Sequence, residues 1–70
     1  MSENRSILAQ RIREARHAKG CSIERLAALI GAHRQSVHYW ETDQRTPGAL
    51  QLIPLAKALD VSVDWLLGLV

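Results

Sequence analysis

The sequence predicts an all-α fold, a compact domain of five short helices. Its apolar residues recur at spacings of three and four, which fits the helical period and not the two-residue period of a strand. Seventy residues, 47% of them apolar, allow one small core and therefore one domain, residues 1–70, with a flexible segment at 1–5. Residues that favour turns divide the chain into pieces of helical length, at Gly20, Gly31, Pro47, Gly48 and Asp60.

The first two helices are predicted on either side of a serine cap. Helix one covers roughly residues 6–19, and Gly20 after it suits the left-handed position that follows a helix. Its apolar stripe consists of Leu8, Ile12 and Ala15. Ser22 is a typical N-cap for helix two, roughly residues 23–30, which Gly31 ends after two turns. None of these helices is long enough to be stable alone, so each must depend on packing.

The remaining helices are predicted in the second half of the chain. Helix three runs from about His33 to Glu41, and a polar loop follows at 42–47. Helix four covers roughly residues 49–59. Pro54 within it removes a backbone hydrogen bond, so either the helix kinks there or its regular geometry begins only near Pro54. Ser62 then caps a final turn or two that carries Val61, Val63, Leu66 and Leu67.

Composition excludes several classes of protein. The longest uncharged apolar run, from Leu26 to Ala32, is much shorter than the roughly twenty residues of a membrane span, so no membrane partner is expected. The first residues lead into no apolar signal-peptide region. The single cysteine, Cys21, cannot form an internal disulfide, which favours a reduced, cytoplasmic protein.

Charge is distributed unevenly along the chain. The net charge is only +2, but residues 1–45 hold eight Lys or Arg against five acids, while residues 46–70 hold one against two. The three histidines also lie in the basic part. A basic half suits a polyanionic partner, although a solvated surface would have the same composition.

The most specific pattern lies between Ile23 and Thr42. Ala27 is small enough for two helices to cross closely, and Gly31 permits the positive φ of a tight turn between them. In the second helix Val37 and Trp40 form an inward pair one turn apart. The opposite face is then left to four polar side chains, which form one outward patch: Arg34, Gln35, His38 and Tyr39.

This segment resembles the helix-turn-helix of the phage repressor and Cro-type regulators, also called xenobiotic-response-element-like, which share the lambda-repressor-like fold. The resemblance covers nearly the whole chain, from Leu8 to Leu67, in an ordered series over five helices. Its motifs are Arg-Ile-Arg-Glu-Ala-Arg (11–16), Lys19-Gly20, Ser22, Leu26-Ala27, Trp40-Glu41, Pro47, Leu55-Ala56-Lys57-Ala58-Leu59, Val61-Ser62 and Leu66-Leu67.

The resemblance implies that helix three enters the major groove of double-stranded DNA while helix two crosses the backbone. Five residues fall on the family's base-reading positions: His33, Arg34, Gln35, His38 and Tyr39. Arginine suits the two acceptors of guanine, and glutamine can pair with adenine. Phosphate contacts are expected from the amides after Ser22 and from Thr42, Gln44, Arg45, Arg13 and His17. For Arg13 and His17 plain solubility is the alternative.

The resemblance also assigns structural roles. Arg16 and Glu41 match a pair that forms a partly buried salt bridge in this family, tying helix one to the end of helix three. A homodimer is implied, with an apolar C-terminal interface at Trp65, Leu66, Leu67, Leu69 and Val70; the alternative is that Leu66 and Leu67 only close the core. Several positions depart from the family pattern, and two of them lie at the starts of helices two and three. Ile23 replaces a common phosphate-binding glutamine, and His33 replaces a Ser or Thr N-cap, which predicts a weak cap.

The function implied is a sequence-specific DNA-binding transcriptional regulator, a repressor encoded by a bacterium or phage and associated with the nucleoid. An antitoxin or adaptor that binds proteins through the C-terminal apolar surface is the alternative. Enzyme activity is not expected, because Ser36 near His33 and His38 has no evident orienting group or oxyanion site. No cofactor, metal or small-molecule ligand is expected, since His17 and Cys21 give only two ligands.

Overall fold

A computed structural model describes the backbone of residues 3–70 and the side chains of residues 7–70. Within this range the fold is all-α, as predicted, and contains no strand. Its helices are α1 (Glu3–Ala18), α2 (Ile23–Ile30), α3 (Arg34–Glu41), α4 (Ala49–Leu59) and α5 (Val63–Leu66).

The five helices end in the same way. After each helix, one residue adopts a positive φ, and the next amide donates to a carbonyl five residues before it, the hydrogen bond of a Schellman motif. The residues with positive φ are Gly20, Gly31, Asp43, Asp60 and Gly68. This geometry needs only one residue that tolerates a positive φ, so most helix ends could be located from the sequence. Asp43 and Asp60 show that aspartate also tolerates it.

The helix starts differ in quality. The Ser22 hydroxyl accepts from the Arg25 amide at 3.0 Å, and Ser62 caps α5 in the same way. His33 has the extended backbone of an N-cap but its side chain makes no cap hydrogen bond, which confirms the predicted weak cap. At α4 the Gly48 amide instead donates to the Gln51 side chain at 2.7 Å. The helix begins at Ala49, so a delayed start near Pro54 was the wrong alternative.

The core lies where all five helices meet. Its buried residues are Leu8, Ile12, Ala15, Leu26, Ala27, Val37, Trp40, Leu55, Ala56, Leu59 and Leu66. Val37 and Trp40 face inward, as predicted, and they pack α3 against α1 and α2. Burying a side chain of valine size contributes about 1.5 kcal/mol or more, so this inward pair fixes the rotation of α3 about its axis. The opposite face of α3 must therefore point to solvent.

Two predictions are corrected by the structure. Leu66 was expected at a dimer interface, but it is 0% exposed and fills the core, so it is not available to a second chain. The reason is that α5 is a single turn whose inward position falls on Leu66. Helix one was expected to start near residue 6, but α1 already begins at Glu3, since neither glycine nor proline interrupts this stretch. Residues 1 and 2 of the predicted flexible segment lie outside the described residues.

The C-terminal segment is tied back to α1 by one arginine. The Arg11 guanidinium donates to the Trp65 carbonyl and, at 2.8 Å, to the Val70 carbonyl. It also lies 4.7 Å from the centre of the Trp65 ring, in a cation–π contact. Gly68 packs closely on α1, where an added Cβ would lie 3.0 Å from Ile7 Cγ2. Leu69 and Val70 remain exposed beyond this attachment.

Candidate nucleic-acid interface

The outward face of α3 carries the polar patch that the sequence predicts. Arg34, Gln35 and His38 are exposed and Tyr39 is half-buried. His33 is exposed at the cap position just before the helix. The structure therefore brings all five predicted base-reading residues to one surface. Together they offer cationic, amide, imidazole and hydroxyl groups, which are the donors and acceptors that match base edges.

Arg34 forms an ion pair across the turn. Its Nη1 lies 3.1 Å from Oε2 of Glu24 in the first turn of α2, and both side chains are largely exposed, 68% and 62% respectively. A hydrogen bond from the backbone amide of Glu24, followed by the one from Arg34, holds the pKa of Glu24 below its ordinary value. The carboxylate therefore stays ionised at neutral pH and lies next to the patch.

Gln35, Tyr39 and Arg45 form a second connected group. Gln35 Nε2 donates to the Tyr39 hydroxyl at 3.0 Å, one helical turn away. The Arg45 guanidinium lies 5.1 Å from the centre of the Tyr39 ring, so a loop cation rests on an α3 aromatic. This contact places a positive charge beside the end of the outward face.

The predicted link between α1 and α3 is confirmed. Arg16 Nε and Nη2 donate to the two oxygens of Glu41 at 2.6 and 2.9 Å, and the two side chains are only 11% and 4% exposed. Arg16 Nη1 also donates to the Cys21 carbonyl at 2.9 Å, which connects the α1–α2 turn to the same group. The hydrogen bonds to Glu41 raise the pKa of Arg16 above its usual value, against the effect of burial. This two-point contact fixes the C-terminal end of α3 to the body of the protein.

The predicted phosphate-binding residues lie on α1, at the start of α2 and in the loop after α3, and they are not equivalent. Arg45 is exposed in the loop, and Arg13 and His17 are exposed on α1. The hydroxyls of Ser22 and Thr42 are already engaged: Ser22 caps α2, and Thr42 Oγ1 donates to the His38 carbonyl at 2.9 Å. Gln44 Nε2 donates to Thr42 Oγ1 at 2.9 Å. None of these contacts tests the phosphate assignments, which remain predictions.

Two residues of interest were missed at the level of sequence. They are Glu24, which pairs with Arg34, and Arg11, which ties the C-terminal segment to α1. The ion pair of Glu24 could have been predicted, because Glu24 and Arg34 carry opposite charges at the starts of two consecutive helices joined by a tight turn. For Arg11 no local signal exists, because its partners are more than fifty residues away.

The described residues contain neither a candidate metal-binding group nor a membrane-spanning helix. No group of three or more His, Cys, Asp or Glu side chains there is arranged to hold a metal ion. In the same part of the chain, no helix is both long and apolar enough to cross a membrane.

Two short helices joined by a tight turn at Gly31, the second with an outward polar face, have the arrangement of the helix-turn-helix class of proteins. The family model described as Helix-turn-helix matches residues 12–66, and the chain belongs to this family, of the Cro/C1 type.

Three relatives illustrate the relationship. The uncharacterized HTH-type transcriptional regulator YobD of Bacillus subtilis (strain 168) is 40% identical over 60 residues, which are 86% of this chain and about half, 54%, of that relative. The restriction-modification controller protein C.AhdI from Aeromonas hydrophila superposes with a TM-score of 0.85 at 38% identity, covering 93% of this chain and 98% of the other. The P22 c2 repressor in complex with synthetic operator 9T superposes with a TM-score of 0.83 at 30% identity, covering 86% and 91%.

Proposed function

We propose that this chain is a sequence-specific transcriptional repressor that binds double-stranded DNA and inserts α3 into the major groove. The observation that carries the proposal is the outward patch of α3, held rigidly by Val37 and Trp40 beneath it and by the Arg16–Glu41 pair at its end. A recognition surface must be fixed in this way, because small displacements would break contacts to base edges. The P22 c2 repressor–operator complex supports the same role for this fold.

The size of the domain supports binding as a homodimer on a near-palindromic operator. Its longest dimension is 27 Å, measured on Cα atoms, which is less than the spacing of about 34 Å between half-sites one helical turn apart. One copy therefore reaches one major groove, and two copies related by a two-fold axis read two. After the loss of Leu66, the predicted interface retains exposed Leu69 and Val70 and half-buried Trp65 and Leu67.

Repression would result from occlusion of a promoter by the bound dimer. The 70 residues act as one helix-turn-helix domain in this proposal, in the cytoplasm and on nucleoid DNA. Phosphate contacts from Arg13, His17 and Arg45, and from the α2 amides after Ser22, position the domain without contributing sequence information. No cofactor and no catalytic step are required.

The test is selection from a pool of random DNA duplexes, followed by sizing of the complex. Enrichment of a motif with two-fold symmetry, bound by two copies of the chain, is the expected result. Failure to enrich any motif would contradict the proposal. A protein that forms a complex with a heterologous protein but shifts no DNA probe would instead favour the antitoxin or adaptor alternative.

A further inference from the structure

The pair between Glu24 and Arg34 uses only part of the guanidinium. The single contact runs from Nη1 to Oε2 at 3.1 Å, and Nε and Nη2 of Arg34 make no hydrogen bond within residues 7–70. A guanidinium carries five donors in a planar fork, and guanine requires two of them for its N7 and O6 atoms. Arg34 can therefore keep its contact with Glu24 and still present a free pair of donors.

The surroundings of Arg34 favour this arrangement. A cavity of about 360 Å³ lies between the start of α2 and the outward face of α3, lined by Ile23, Arg34, Gln35 and His38. Glu24 adjoins Ile23 in the first turn of α2, while Arg34 is the first residue of α3. The carboxylate thus holds the guanidinium from the α2 side, at the edge of this cavity.

We infer that Glu24 is a positioning residue that determines specificity by orienting Arg34 toward bases and away from phosphates. The inference rests on the proposed DNA-binding function and deepens it. In this proposal a contact between Arg34 and a base edge preserves the pair, while a contact with the phosphate backbone requires Arg34 to turn away from Glu24. Breaking the pair penalises binding to arbitrary DNA, while binding at the correct base pair carries no such penalty.

The expected size of the effect follows from the exposure of the pair. Exposed ion pairs contribute little, at most about a fivefold change in an equilibrium constant. Glu24→Ala should therefore reduce the preference for the base pair read by Arg34 by about three- to fivefold. Affinity for unrelated DNA should rise, because Arg34 is then free to contact phosphates. Glu24→Gln, which keeps an acceptor oxygen without the charge, should restore part of the preference.

The experiment measures affinities of the full chain for the DNA site selected in the random pool, for single-base variants of it, and for unrelated DNA. Glu14→Ala is the matched control, since Glu14 is an exposed acid on α1 that bonds Gln10, away from the patch. This control should leave the base preference unchanged. In an Arg34→Ala background, Glu24→Ala should no longer change preference at any position.

Two results would overturn the inference, and they differ from a failure of the proposed function. If Glu24→Ala strengthened binding to every sequence by the same factor, Glu24 would only repel the DNA phosphates and would not orient Arg34. If the preference fell equally in the Arg34→Ala background, Glu24 would act independently of Arg34. A wild-type protein that selects no DNA would overturn the proposed function itself.

Discussion

Arg34 is the first residue of α3, and most of its side chain is exposed. Its Nε and Nη2 make no hydrogen bond among the described residues. Arg34→Ala should therefore flatten the preference at one base pair of the selected site by about 1–3 kcal/mol. The measurement is a set of binding titrations on single-base variants of that site. Arg13→Ala, which removes an exposed arginine predicted to contact phosphate, should weaken all the variants about equally. Uniform weakening by Arg34→Ala would reassign Arg34 to the backbone.

The Arg16–Glu41 pair makes a prediction about stability. Glu41→Gln removes one charge of a nearly buried pair and leaves the Arg16 guanidinium poorly compensated. The free energy of unfolding should fall by about 3 kcal/mol, as measured by urea denaturation. Glu14→Gln, on the exposed surface of α1, should change it by less than about 0.5 kcal/mol. Equal effects of the two substitutions would show that the burial of the pair has no energetic consequence.

For individual residues, the sequence predicted which way a side chain faces better than it predicted which residue that side chain contacts. The outward direction of Arg34 and Gln35 follows from the inward positions of Val37 and Trp40, which local periodicity reveals. Periodicity does not show that Arg34 turns toward Glu24 or that Gln35 donates to Tyr39, because those contacts depend on side-chain rotamers. The Arg16–Glu41 pair could be predicted only through resemblance to a family, since 25 residues separate its members.

Among the helices, α3 has the clearest local defect. His33 holds the backbone of an N-cap without supplying the hydrogen bond that such a residue normally makes. His33→Ser should add this bond and raise the free energy of unfolding by about 0.5–1 kcal/mol. The reciprocal change Ser22→Ala, which removes an existing cap on α2, should lower it by about 1 kcal/mol. Thermal or urea unfolding of both variants measures these changes in the free energy of unfolding. A loss of stability in His33→Ser would contradict the predicted gain from a new N-cap hydrogen bond.

Helix boundaries were predictable where a single residue type marks them. The ends of α1, α2 and α4 lie within two residues of the turn signals at Gly20, Gly31 and Asp60. The start of α1 was not predicted, and the burial of Leu66 was predicted only as the alternative to a dimer contact. The first lacks any sequence marker, and the second depends on how one short turn is rotated against the rest of the molecule.

For the whole molecule the central electrostatic prediction is a steep dependence of DNA binding on salt. Arg13 and Arg45 on each of two copies would neutralise about four phosphates. Affinity for the selected site should then fall about a hundredfold between roughly 50 and 200 mM salt. Fluorescence anisotropy titrations at several salt concentrations measure this slope. A flat affinity over that range would contradict binding through phosphate contacts.

The most direct test of the proposed interface is to map it by NMR, adding the selected DNA duplex to isotope-labelled protein. The largest amide shifts should fall on residues 33–45 and on the first turn of α2, with small changes along α4. If the shifts instead clustered at Trp65, Leu69 and Val70 while those of Arg34, Gln35 and Tyr39 stayed unchanged, the outward face of α3 would not be the DNA-binding surface.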